Sequence, residues 1–145
     1  MIEREPIYAA LFDLVWDGAL YKNPVETARI LRHWADVPKE ERPALFLAQG
    51  RETVVKTAAN GFPTVWMLET TIYVYVTRGD HLTPGAVINP ILDAISTKLE
   101  ANGRGFPQML GGLVQWARIE GTIETSEGTL GEDEVAIIPV RMLTA

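Results

Sequence analysis

Between Thr64 and Thr77 the chain reads TVWMLETTIYVYVT, and side-chain character alternates along it with the period of an extended strand. Trp66, Leu68, Ile72, Val74 and Val76 share one face, which is predicted to be core. Met67, Glu69, Thr71, Tyr73 and Tyr75 share the other, a face neither plainly wet nor plainly buried. Tyrosine buries area at low entropic cost and keeps a polar tip. Such a face therefore suits either a meeting with another surface or cover by a helix or loop of the same chain.

Upstream, Pro6 fits a first helical position, and Ile7, Leu11, Leu14 and Val15 recur at helical spacing, with Tyr8 and Phe12 widening the stripe and Gly18 ending it. A loop at Tyr21 to Pro24 follows. Glu26 to Trp34 alternates Thr27, Arg29, Leu31 and His33 against Ala28, Ile30, Arg32 and Trp34, which predicts a strand whose inner face the pattern leaves open. Asp36 to Pro43 reads as a loop, and Ala44 to Gln49 as a short strand ending at Gly50. In Arg51 to Phe62, the residues Thr53, Val54, Val55 and Thr57 favour extended backbone, and Asn60-Gly61 is a hairpin turn signal. The simplest reading is a hairpin arm feeding the long strand.

Beyond that strand Gly79-Asp80 turns the chain, and Thr83-Pro84 opens a helix with Ile88, Ile91, Leu92, Ile95 and Leu99 on one face. Pro90 either kinks this helix or begins a second segment capped by Asn89, and Asn102-Gly103 closes it. Leu113 to Glu124 alternates as a strand, Ser126 to Glu132 turns, and Val135 to Leu143 returns antiparallel to it. Pro139 cannot donate to a ladder, which puts the last strand at an edge or a bulge. The expected fold is α+β: a mixed, largely antiparallel β-sheet with two α-helices packed on one face.

Composition narrows the function classes. The 145 residues make one domain large enough to bury a core, and no apolar run approaches the roughly 20 residues a membrane-spanning helix needs. The N-terminus lacks the basic and apolar regions of a secretory signal, so the cytosol is the expected compartment. Cysteine is absent, which removes disulfides, thiolate nucleophiles and cysteine-ligated metals. Nineteen acidic against thirteen basic residues give a net charge of −6, which disfavours a sequence-independent grip on nucleic acid. The acid concentrates at Glu120, Glu124, Glu127, Glu132, Asp133 and Glu134, a run that a solvated hairpin explains.

Catalytic constellations do not emerge. His33 and His81 show no metal-ligand spacing, and Ser96 and Ser126 lie in no nucleophile elbow. Gly103, Gly105, Gly111 and Gly112 follow a helix rather than a strand and match no phosphate-loop spacing. Glu120 and Glu124, four residues apart on one strand, stand roughly 13 Å apart, too far for a glycosidase pair. The expectation is no catalytic residue, no cofactor and no metal. A small enzyme or ligand-binding domain survives as an alternative if the fold gathers His33, Glu69 and Arg118 into one pocket.

The segments IEREPIYAALFDLV, LRHWADVPKEERPALFLAQG, VWMLETTIYVYVTRGD, INPILDAI and LGGLVQWARIEGTIETSEGTLGEDEVAIIPVRML together resemble a family of small tail-terminator-like (minor tail, tail completion) proteins of long-tailed bacteriophages and prophages. The likeness spans nearly the whole chain, 1–145, as a single domain with the hairpin arm at 51–62. Its most specific parts are RHW followed by PALF, NP-x-LDA, and IEG-x-IE-x-x-EG-x-LG; YKNPVETARIL is longer than the simplest family pattern.

That resemblance implies a structural role in the virion tail, assembled in the bacterial host cytoplasm. Tail terminators form a homo-hexameric ring on the head-proximal end of the tail tube, stop its polymerisation and join the head-tail connector or stopper protein. DNA passes through without specific binding, and an acidic lumen would repel its phosphates. Another neck protein, such as a stopper, is the nearest alternative. Candidate self and partner contacts are Arg51 and Lys56 on the arm, Tyr73 and Tyr75 on the second face of the long strand, and Pro139 and Arg141 on the last strand.

Overall fold

The computed structural model describes residues 2–79, 83–100, 106–126 and 131–145. In chain order the regular elements are α1 (Arg4–Val15), β1 (Ala44–Lys56), β2 (Val65–Thr77), α2 (Ile88–Leu99), β3 (Val114–Ile119), β4 (Glu124–Thr125) and β5 (Asp133–Thr144), with short 3₁₀ turns between. The strands form one five-stranded sheet in the order β1-β2-β5-β3, with β4 also on β5, and every pairing is antiparallel.

The alternation of β2 and β5 decides the layers. Leu68, Ile72, Val74 and Val76 of β2, with Ala136, Ile138, Val140 and Met142 of β5, are buried against Ile7, Tyr8, Leu11, Phe12 and Val15 of α1 and Ile88, Ile91, Ile95 and Leu99 of α2. Both helices thus cover one face, and the fold is α+β as expected. Against the opposite face lies a smaller cluster: Val37, Ala44, Phe46, Tyr75 and Val135, with Trp34, Tyr73 and Ile137 partly buried beside it.

Glu26 to Trp34 is not a strand. It holds a 3₁₀ turn at Val25–Thr27, and a second begins at Trp34. The chain from Asn23 to Ala28 borders the outer edge of β1 and satisfies it at isolated points: the Asn23 side-chain amide donates to the Leu45 carbonyl (2.9 Å) and accepts from its N–H (3.1 Å), while the Ala28 carbonyl accepts from Leu47 N–H (3.0 Å). An amide side chain and one carbonyl stand in for a neighbouring strand, so this edge is blunted without a ladder.

Gly50 does not end β1. The strand continues through a bulge between Gln49 and Glu52 and runs on to Lys56. At Gly50 a Cβ would lie 3.0 Å from the Glu69 carbonyl oxygen, so glycine answers a close backbone approach rather than chain termination. The expected hairpin is present as β1 and β2, with Asn60 and Gly61 both at positive φ (52° and 81°), as a turn matched to strand twist requires.

The second helix starts at Ile88, later than Thr83-Pro84. Residues 83–87 instead make tight turns, with Ala86 N–H bonded to the Thr83 carbonyl and Asn89 N–H to that of Gly85. Pro90 then falls in the first helical turn, where N–H groups have no intrahelical acceptor, so neither a kink nor a second segment is needed. The expected stop at Asn102-Gly103 lies outside the described residues.

The proline-marked strand is not an edge. β5 sits between β2 and the β3/β4 pair, with Pro139 opposite Thr71. N–H and C=O of one strand residue point the same way, and the Pro139 carbonyl accepts from Glu120 N–H (3.2 Å), so its nitrogen also faces the gap between β3 and β4. There the Leu113 to Glu124 segment breaks at Gly121, whose φ is 118° and whose place would set a Cβ 3.2 Å from the Pro139 ring. The missing donor meets an irregular neighbour, which is how a proline persists mid-sheet.

Nor is the acidic run merely solvated. Glu132 pairs with Lys39, Asp133 with Arg42 (2.9 Å) and Glu120 with Arg118 (3.2 Å). Glu134 is buried, paired with Arg78 (3.3 Å) and accepting from Gly85 N–H (3.0 Å). Glu124 stays exposed, and Glu127 lies outside the described residues.

Candidate functional site: the second sheet face and the hairpin arm

On the face away from the helices, most odd-numbered positions of β2 and β5 are half-exposed and alternate with buried even ones, except that Trp66 is half-exposed and Tyr75 and Val135 are buried. Cross-strand register sets Glu69 beside Arg141, and Arg141 beside Arg118. The charges interlock: Arg141 pairs with Glu69 (3.0 Å) and approaches Glu120 (3.8 Å), and Glu120 pairs with Arg118. Arg118 also lies over the Trp116 ring, 3.8 Å from its centroid. Glu120, set between Arg118 and Arg141, relieves the like-charge opposition of the two arginines, and the Trp116 ring face adds a favourable contact to the Arg118 guanidinium.

Toward the other end the face becomes a groove. Leu31, Arg32, His33 and Trp34 form one wall, and Tyr73, Tyr75, Val135 and Ile137 form the floor, enclosing about 350 Å³. Arg42 fixes that wall. Its buried guanidinium donates to the Val37 and Trp34 carbonyls, to the Val76 carbonyl (3.3 Å) and to the Asp133 carboxylate (2.9 Å). One side chain therefore ties the 34–37 segment to the ends of β2 and β5.

The sequence-predicted contact residues divide. Tyr73, Pro139 and Arg141 are half-exposed on the second face. Tyr75 is only 3% exposed, and its hydroxyl donates to the Arg32 carbonyl (2.6 Å); burial pushes its phenol up to about 12, with Tyr73 adding to the rise. It is covered by a loop of its own chain, so it offers little surface. Arg51 lies in the β1 bulge, and Lys56 stands on the arm with its ammonium 5.6 Å from the Phe62 ring centroid; both are exposed. The base of the arm, at Arg51 and Glu52, lies level with Leu68 and Glu69 and so one strand from Arg141, whereas its tip is separated from Tyr73 along the length of β2.

His33, Glu69 and Arg118 do not converge. His33 is exposed, with Nδ1 accepting from Ala35 N–H (3.1 Å) as a cap of the 3₁₀ turn, and it lines the groove, while Glu69 and Arg118 belong to the charge ladder. His81 lies outside the described residues. Among the described residues no group of three His, Asp or Glu side chains could hold a metal ion. Sequence reasoning does not single out Leu31, Trp34 and Ile137 as contact residues; the available signal is the apolar Ile30, Leu31 and Trp34 in an otherwise polar stretch. No protein-family model matches the chain, and no curated protein matches it significantly.

Proposed function

We propose that the protein is a structural subunit of a phage tail, a tail-terminator-like protein that assembles as a ring, a hexamer, on the head-proximal end of the tail tube, ends polymerisation and presents the surface on which the head-tail connector docks. The observation that carries this reading is the second sheet face. Helices seal one side of the sheet, whereas the other keeps Met67, Tyr73, Trp116, Ile137 and Leu143 half-exposed among alternating Glu and Arg side chains. A mixed aromatic and charged face of this kind has the make-up of a protein-protein contact. The resemblance of the RHW, NP-x-LDA and IEG segments to tail terminators supplies the specific role. No side chain is assigned a catalytic part and no cofactor is invoked.

Negative-stain imaging of the purified protein, alone and mixed with tail tubes of the phage that encodes it, tests the proposal. Rings alone or caps at one end of each tube are expected; a protein that stays monomeric and leaves tube ends bare refutes it. Caps that form only after the tube is already terminated would favour the stopper role. The groove beside Trp34 and Tyr73 supports a second reading, a small-molecule site of ordinary size. That reading requires a ligand whose binding Trp34→Ala abolishes without loss of fold.

A further inference from the structure

We propose that the hairpin arm of one copy seats in the Leu31–Trp34 groove of the next, so that subunits join head-to-tail; this rests on the ring-forming reading above. The arm ends in apolar side chains with little to cover them, Val55 at 55% and Phe62 at 65% exposure. Val55 sits where the β1/β2 register slips, in a bulge that turns it out of the ladder. The groove offers Leu31, Trp34, Tyr73 and Ile137, an aromatic-lined cleft open at the surface. Exposed apolar tip and exposed apolar cleft are the two halves of an anchor-and-pocket contact.

Charge agrees with this match. Arg51 and Lys56 on the arm form no ion pair among the described residues, in a chain of net charge −6. At the groove, Glu124 stands opposite Ile137 in register and Asp36 follows two residues after Trp34; both are exposed and likewise form no ion pair among the described residues. Lys56, the cation nearest the tip, thus meets Glu124 and Asp36, which fixes orientation and speeds encounter, while Arg32 in the groove wall is already paired with Glu41 (3.3 Å).

Geometry excludes the contact within one copy. The arm leaves β2 at Val65 and the groove floor begins at Tyr73, so roughly 26 Å of extended strand separates them. Different patches at opposite ends of one strand make a heterologous contact when each copy hands its arm onward, and such contacts close into rings when the rotation permits.

The absence of cysteine makes the test clean. Phe62→Cys and Leu31→Cys change exposed positions, and circular dichroism confirms that each variant keeps the wild-type fold. Mixed and treated with oxidant, or with a short bismaleimide, the two single variants should cross-link to each other, arm position to groove position, in preference to forming either homodimer. The double variant should give a ladder of covalent multimers. Lys56→Glu in the arm-bearing partner should lower heterodimer yield about two- to fivefold at low salt, the worth of one exposed ion pair. Covalent dimers alone from the double variant mean reciprocal exchange and overturn head-to-tail joining. No heterodimer in samples that image as rings overturns the arm-groove contact and leaves the ring standing. No heterodimer in samples without rings, alone or on tubes, overturns both.

Discussion

Arg42 shows how one residue sets the shape of the second face. Its guanidinium is nearly buried, and it satisfies carbonyls at 34, 37 and 76 together with the Asp133 carboxylate. Removing one partner of such a buried network leaves the others unpaired, which is costlier than the net worth of the bonds. Arg42→Ala should therefore destabilise by about 3 kcal/mol in urea unfolding. Arg42→Lys, a point charge without the fork, should fall between it and the wild type. A loss below about 1 kcal/mol for Arg42→Ala would mean the segment is held by Trp34 and Val37 packing instead. The tyrosines give a second residue-scale test. Burial, aided by the Glu52 carboxylate, raises the Tyr8 phenol to about 12; burial raises Tyr75 to about 12 and Tyr21 upward as well. A raised folded pKa means the neutral form is favoured by folding. That stability is fully present below the unfolded value of 10.0 and is lost as pH climbs from there through about 12. Phenolate absorbance of these three should rise together with loss of circular dichroism in that window. Ionisation of all tyrosines near 10 in a protein still folded contradicts their burial.

At the scale of elements, what the sequence discloses depends on whether periodicity alone decides the structure. β2 is legible because a two-sided strand in a sheet has one period, and α1 because its apolar stripe has helical spacing, although the helix stops at Val15, capped by Trp16, short of Gly18. The 26–34 segment misleads because weak alternation in a polar stretch is equally compatible with a chain that touches a sheet edge at single points such as Asn23 and Ala28. Pro139 misleads because the exception it uses, an irregular neighbour at Gly121, is contributed by a residue distant in sequence. The groove is invisible for the same reason: its wall and floor come from segments some forty to a hundred positions apart. The arm can be tested as an element. Its tip carries exposed side chains and few tertiary bonds, so replacing 55–60 by Gly-Ser should leave the melting temperature nearly unchanged while weakening assembly or tail joining. A shortened variant that assembles and joins like wild type would make the arm only a loop. Gly50→Val should behave in the opposite way, lowering stability by roughly 1–3 kcal/mol, since its side chain would press on the Glu69 backbone.

For the whole molecule, the decisive quantity is charge. Each copy contributes a net −6, and the pairing of Glu132, Asp133, Glu134 and Glu120 with basic side chains leaves the excess on other acidic residues, Asp36 and Glu124 among them. In the proposed ring, whatever part of that excess faces the axis would line the channel with negative charge. A DNA-threading ring needs a wall from which phosphate slides away, because every neutralised phosphate releases counterions and adds affinity that would hold the genome in place. The proposed role therefore predicts that the assembled protein binds duplex DNA no more tightly than about the millimolar range at physiological salt, and that fluorescence anisotropy of a labelled duplex stays flat as protein is added. Charge reversal at the groove rim, Glu124→Lys with Asp36→Lys, should introduce binding that weakens as salt rises if those residues face the channel; it should leave the anisotropy flat and instead reduce assembly if they are covered by the neighbouring arm. Micromolar, salt-sensitive binding of DNA by the wild-type protein would be incompatible with a passive ring and would call for a nucleic-acid partner instead.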